Sequence, residues 1–430
     1  MIKNLFLILT FVYLNNCSFD TKSGFWTKEK KTIKASNEKI LFEEDKINEN
    51  EFNTNLILKL GLDTKKNNVQ NGNNIGVSNI NSELEKISKY NFKKIKYFDQ
   101  FEPELTFIKN DLIFFDKNGS VIRYSEDGKI VWKVNYYTKK EKKSQPILKI
   151  TEKDNKILIT DSFSKIYLLD AINGNQIWSN EHKVNFISEI KIDEDRVYAL
   201  DALNTFNCIS LIDGEIVWEF KGEEQLINSQ ELKSVVYDDD KVIFNNVQNK
   251  IIALNKFNGN LIWITPTISF EEGFQSYLIN ASELVIDNNS LFFSNTANNF
   301  YSLDINTGLI KWTQKIRSST KPIIIDNVIF TVSSNRYLNI IEKKNGNIIR
   351  ITDFTKGFKK KKKERLKVVG FIVSKEKIYA STNLGYLIVI NVNDGKRDSF
   401  YKISRGEISK PYSNSNNLYL IKNNQIIRMN

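Results

Sequence analysis

The sequence predicts an all-β fold: an eight-bladed β-propeller, closed by an N-terminal strand and preceded by a signal peptide and a flexible tether. Three observations predict it. The first is a repeat. Gly-x-x-x-Trp occurs at Gly128 and Trp132, Gly174 and Trp178, Gly214 and Trp218, Gly259 and Trp263, and Gly308 and Trp312. Two degenerate copies follow, Gly346 with Arg350 in the Trp place and Gly395 with Ser399 there. The glycines are 46, 40, 45, 49, 38 and 49 residues apart, a period that signals a solenoid, propeller or array. The second is the residue before each glycine, always Asp, Asn or Thr. Asx-Gly between apolar runs marks a tight hairpin, because these residues tolerate the positive φ it needs. The third is the strand count. In the second unit short apolar runs at 146–150, 156–160, 166–170 and 176–178 are separated by polar turns, and four short strands per unit make a propeller blade.

Composition sets the bounds. A chain of 430 residues, 41% hydrophobic and 12% aromatic, can bury a large core, and five prolines and 18 glycines leave little room for low-complexity linker. The net charge is +11 and the pI about 9.2. The basic residues are scattered through the repeats rather than gathered in one stripe, so the charge does not argue for a nucleic-acid partner. Two cysteines, Cys17 and Cys208, exclude a disulfide framework. Cys208 lies in an alternating strand and reads as a buried thiol.

Taken in order, residues 1–16 have a short basic start and an apolar run of about ten residues, too short to span a bilayer as a helix. Leu14-x-x-Cys17 resembles the lipobox of bacterial lipoproteins, which makes Cys17 the lipidation site; Asn15 and Asn16 depart from the small residues usual there. Residues 17–91 carry no repeat and include an Asn/Gly-rich stretch, and they read as a lipid-anchored, largely disordered tether reaching on the order of 50 Å. The propeller occupies 92–430. Seven Gly turns give seven blades. The C-terminus adds an eighth unit that stops after three strands. Residues 92–98, Phe-Lys-Lys-Ile-Lys-Tyr-Phe, are the expected donor of its fourth strand, and closure removes two open sheet edges.

These repeats resemble the PQQ-like propeller family. The signal peptide with its cysteine, the tether and the eight blades resemble, within it, the lipoproteins of the outer-membrane β-barrel assembly machinery. That resemblance implies a non-catalytic scaffold that helps β-barrel proteins assemble and insert, anchored on the periplasmic side of the outer membrane. It also implies a monomeric propeller in a complex with a BamA-like barrel protein and other members of the machinery. Ser18, rather than Asp, after Cys17 favours the outer membrane by the same resemblance. The second function class is a periplasmic quinoprotein-like dehydrogenase, dependent on PQQ and calcium, or a ligand-sensing propeller. Quinone and calcium binding in the central funnel would discriminate the two classes.

No catalytic or metal constellation appears, and no cofactor is expected. The single histidine, His182, has no partner for a triad or a zinc site and is expected at the surface. Asp238, Asp239 and Asp240 lack the spacing of a calcium loop and read as a solvated turn. Trp132, Trp178, Trp218, Trp263 and Trp312 stand once per blade, which points to packing between blades rather than to a binding site. Arg350 in the sixth unit predicts a looser seam. Partner contacts are expected on two long inter-blade connections. One spans 220–234 with Leu226 and Ile227; the other spans 266–283 with Phe270, Glu272 and Phe274. The alternative is that Leu226 and Phe274 pack under their own loops. The run Lys359, Lys360, Lys361, Lys362 and Lys363 is expected to be solvated and mobile, with contact to anionic head groups as its functional reading.

Overall fold

The computed structural model describes residues 50–58, 77–78, 80, 84–95, 103–223, 232–267, 279–297, 299–422 and 424–430. By its internal contacts the chain divides at Asp45, and all of these residues belong to the second unit, Lys46–Asn430. They form eight sheets, each built on four antiparallel strands, and the sheet of blade 7 carries a fifth, parallel strand. Blades 1 to 7 cover 106–134, 148–181, 191–221, 235–266, 285–314, 323–353 and 368–402. Blade 8 combines Tyr412–Asn414, Asn417–Lys422 and Gln425–Met429 with an N-terminal strand.

The strand order within a blade follows from its side chains. Middle strands are buried on both faces and read as continuous apolar runs, as in Lys156–Asp161 and Lys165–Asp170. Fourth strands expose every other residue, as in Gln176–Glu181. Each fourth strand of blades 1 to 7 carries a β-bulge at the same place, where one residue drops out of register just before the Trp position. In blade 2 the skipped residue is Ile177, which is exposed. A bulge re-aims the next side chain. Here the next residue is the Trp, and it meets the following blade.

That meeting is the same at five seams. The indole N–H of Trp132 donates to the carbonyl of Ala171 at 3.1 Å, and Trp178, Trp218, Trp263 and Trp312 donate to Leu211, Lys256, Ile305 and Lys343 at 3.0, 3.3, 2.9 and 3.2 Å. Every acceptor lies three residues before the next blade's turn glycine. A Cβ on Gly259, whose φ is +74°, would stand 2.5 Å from the Trp218 ring. The glycine therefore serves both the left-handed turn and the close approach of the indole.

The ring closes with Lys86–Asn91, not with 92–98. This strand pairs antiparallel with Gln425–Met429, from Lys86 opposite Met429 to Asn91 opposite Gln425. A fourth strand sends one residue into the seam, and here that is Tyr90, fully buried, with its hydroxyl donating to the Glu126 carbonyl at 2.9 Å. An apolar-run reading misses such a strand because its other side chains are solvated. Phe92 and Ile95 are buried instead in the core of blade 1, with the Phe92 ring 4.8 Å from that of Phe114; residues 96–98 lie outside the described residues. The expected tether boundary shifts accordingly. Residues 50–58 and 84–91 pack on the propeller, and Val77–Ser78 adds a short parallel strand to the innermost strand of blade 7.

Candidate functional site

In a meander the connections from fourth to first strand and the turns from second to third strand lie on one face of the ring. The remaining turns, the Asx-Gly turns among them, lie on the other. The two long loops expected to meet a partner are fourth-to-first connections, so both rise from the first face. Leu226 and Ile227 of one, and Phe270, Glu272 and Phe274 of the other, lie outside the described residues. The feet of these loops are described. Glu223 pairs with Lys250 at 3.0 Å and accepts from the Gln248 amide at 2.8 Å, while Gly222 N–H donates to the Asn204 carbonyl at 3.0 Å. Thr267 Oγ1 donates to the Asn249 carbonyl at 2.5 Å.

The axis of the propeller holds a charge cluster. Six blades carry a positive-φ residue in their first hairpin turn: Lys109, Asp154, Glu194, Asn288, Asp326 and Ser415. Five positions before each stand Glu104, Lys149, Glu189, Glu283, Lys321 and Lys410. The matching place in blade 7 is Gly370, where a Cβ would lie 2.5 Å from that of Lys410. Lys410 Nζ joins Glu104 at 2.8 Å to Glu283 at 2.6 Å, spanning from blade 8 to blade 5. Lys321 holds the other oxygen of Glu283 at 2.9 Å, and Lys191 holds Glu189 at 3.3 Å. Lys149 donates to the carbonyls of Phe186 and Ser188 at 2.8 and 3.0 Å. Burial alone would push Lys410 down, but Glu104 and Glu283 hold it well above the ordinary lysine value. Burial likewise opposes ionisation of Glu283, and Lys321 and Lys410 outweigh it, so the carboxyl stays below its usual range. Lys149 is pushed down to about 8 by burial. Glu104 remains 40% exposed, so its pair is partly screened.

The sixth seam departs from the other five. Arg350 occupies the Trp place and is fully buried. Its Nη2 donates to the Val392 carbonyl at 3.0 Å, three residues before Gly395, the bond an indole makes elsewhere. Its Nη1 donates to the carbonyls of Asn393 and, at 2.9 Å, Leu56. The seam is therefore tight rather than loose, because a guanidinium presents several donors where an indole has one. Burial pushes it down to about 10 against the pull of Asp394, so it is charged at neutral pH. Residues 51–58 lie along this seam. Phe52 and Ile351 exchange backbone bonds of 3.1 and 3.0 Å, Leu58 N–H donates to Asn393 at 2.9 Å, and Glu51 pairs with Lys356 at 2.5 Å.

Residues 117–352 match the family described as outer membrane protein assembly factor BamB. The chain belongs to the BamB family. A BamB from Moranella endobia is 20% identical over 265 residues, 61% of this chain and 66% of that protein. An uncharacterised Rickettsia conorii protein is 23% identical over 309 residues, 70% of this chain and 72% of its own length. The crystal structure of BamB from Moraxella catarrhalis superposes with a TM-score of 0.66 at 14% identity, covering 81% of this chain and 99% of that one. The architecture is thus a BamB-type, PQQ-like eight-bladed propeller.

Among the described residues, the axis does not fit the calcium of quinoprotein propellers. Calcium takes six to eight oxygen ligands. Glu104, Glu189 and Glu283 do converge, with one oxygen of each within 4.8 Å of the others. Each is held by an ammonium group, which offers no lone pair and repels a cation.

His182 is half-buried rather than at the surface, 3.0 Å from Asp201 Oδ2 and stacked on Phe186. Asp238 to Asp240 form a turn in which Asp238 Oδ1 accepts the N–H of Lys241 at 2.8 Å. Cys208 is buried and free, and burial pushes its thiol up to about 11. Cys17 lies outside the described residues. The lysine run differs from the mobile segment expected. Lys360–Arg365 is a short helix following Lys359. Lys362 Nζ sits 4.1, 3.8 and 5.2 Å from the ring centres of Phe358, Tyr386 and Phe400, and Lys363 pairs with Asp353 at 2.5 Å. Aligning the repeats on their first hairpin turns would have exposed the axial Glu/Lys pattern. No local signal marks residues 51–58 as a partner of Arg350.

Proposed function

We propose that this chain is a non-catalytic scaffold lipoprotein of the β-barrel assembly machinery. It is held at the periplasmic side of the outer membrane through Cys17 and contacts a BamA-like barrel protein and other members of the machinery through its loops. The observation that carries this reading is the BamB-type propeller whose axis is lined by lysine–glutamate pairs where a related enzyme would seat its cofactor. A rigid ring with no reactive constellation among its described residues acts through what its loops touch. The loops at 220–234 and 266–283 share one face, and their feet are fixed by hydrogen bonds and an ion pair, so a partner meets them without paying to order their bases. Leu226, Ile227, Phe270, Glu272 and Phe274 supply the apolar and acidic contacts.

The test is purification of the full chain from gently solubilised membranes, followed by mass spectrometry. Recovery of a BamA-like barrel protein, lost when Leu226 and Ile227 are both changed to Asp, is the expected result. Recovery of the propeller alone, or recovery unaffected by that double change, overturns the reading or its loop assignment respectively.

A further inference from the structure

Several observations meet on the loop face beside blades 6, 7 and 8. The first is where the chain enters the propeller. Residues 51–58 run antiparallel to the fourth strand of blade 6, Ile348–Asp353, because Phe52 bonds Ile351 and Leu58 bonds Asn393 in the Asx-Gly turn of blade 7. Glu51 therefore lies at the loop-face end, against Lys356 and the N–H of Asp353. The described residues begin at this edge.

The second is the lysine helix at the same edge. Lys362 is captured among three rings and Lys363 by Asp353, so the helix is pinned by two of its basic side chains. Lys359, Lys360 and Lys361 are left exposed and form no ion pair among the described residues; Glu364 is the only acid on the helix. Fixed lysines lose less freedom on meeting a surface than mobile ones do.

The third is a cavity of about 480 Å³ between the end of blade 7 and the second hairpin of blade 8. Lys402, Arg405 and Lys422 line it, and no carboxylate does. Lys402 also flanks the Tyr386 ring at 4.1 Å, the same ring that Lys362 approaches, so helix and cavity are continuous. Cations beside exposed aromatic rings suit the head-group layer of a bilayer, where ring and charge are both accommodated. Phe400 is 46% exposed here.

We infer that the loop face of blades 6 to 8, with Lys359, Lys360 and Lys361 on the helix and Lys402, Arg405 and Lys422 around the cavity, docks on an anionic lipid bilayer and receives a phosphate-bearing head group in the cavity. This surface is separate from the loops assigned to a protein partner, and its test does not depend on them.

Vesicle sedimentation of the full chain carrying Cys17→Ala, with phosphatidylcholine alone or with 30% phosphatidylglycerol, decides it. One variant changes Lys359, Lys360 and Lys361 to Gln, and a second changes Arg405 and Lys422 to Gln. A charge-matched control changes Lys344, Lys375 and Lys396, exposed in turns of the opposite face, to Gln. The parent should prefer the anionic vesicles and lose that preference in high salt. At about 1 kcal/mol per basic residue, the helix variant should bind them on the order of 100-fold more weakly, the cavity variant about 30-fold, and the control as the parent does. Equal losses for variants and control would mean general attraction of a basic protein and overturn the proposal, as would equal binding to both vesicle types. Unchanged melting temperatures in the variants show that the propeller is intact.

Discussion

The five tryptophan seams and the arginine seam solve one problem with different chemistry. In both, a bulge aims the side chain at the carbonyl three residues before the neighbour's turn glycine. The indole makes one bond and fills the gap with ring surface; Trp178 is only half-buried, and among the described residues nothing from outside the two blades is bonded to it. The guanidinium makes the same bond, adds one to Asn393, and keeps a third for the Leu56 carbonyl. A seam built on surface area joins two blades. A seam built on donors joins two blades and a third segment.

The largest expected effect breaks the tryptophan side of the comparison. Trp263 is the most buried of the five, and Trp263→Ala should cost about 3–5 kcal/mol, read by urea unfolding of the propeller. A cost below 1 kcal/mol would mean that ring surface is not what holds these seams.

The arginine side is broken next. Arg350→Met keeps the stem and removes the donors, leaving the carbonyls of Val392, Asn393 and Leu56 without their partner. The expected cost is about 2–3 kcal/mol, and the amides of Phe52 and Ile351 should lose protection from hydrogen exchange. Arg350→Trp sharpens the contrast. It should restore most of the seam's stability while leaving residues 51–58 unprotected, and protection that survives in both variants would show that Arg350 does not hold the segment.

Acid gives the smallest effect and is felt most at the axis. At two indole seams a single lysine meets a single carboxylate, Lys256 with Asp193 and Lys343 with Asp287, whereas Glu283 is ionised against both Lys321 and Lys410. Its folded value is depressed, so its contribution is present above the ordinary carboxyl value of 4.5 and fades as pH falls through the folded value. Glu283→Gln should cost about 1–2 kcal/mol at pH 7, because two lysines lose a partner in a channel still open to solvent. It should also flatten the fall in stability below pH 4.5. A variant as acid-sensitive as the parent would place the acid response elsewhere.

The parts that repeat locally are legible in the order of the residues. Each Asx-Gly turn, bulged strand and Trp is a short-range device, so the all-β propeller, its eight units and the need for an N-terminal strand to complete the last could be read from spacing alone. What depends on distant residues is visible only in the folded ring. Lys86–Asn91 closes the ring rather than 92–98 because an outer strand needs one buried side chain, Tyr90, and no apolar run. Arg350 reads in sequence as a lost Trp, but the fold brings it a carbonyl 294 positions away. Lys410 and Glu283 are 127 residues apart and meet only because eight inner strands converge on one axis. Local pattern fixes how each blade forms; charges brought together across the ring have no local signature, and only the closed ring places them within bonding distance.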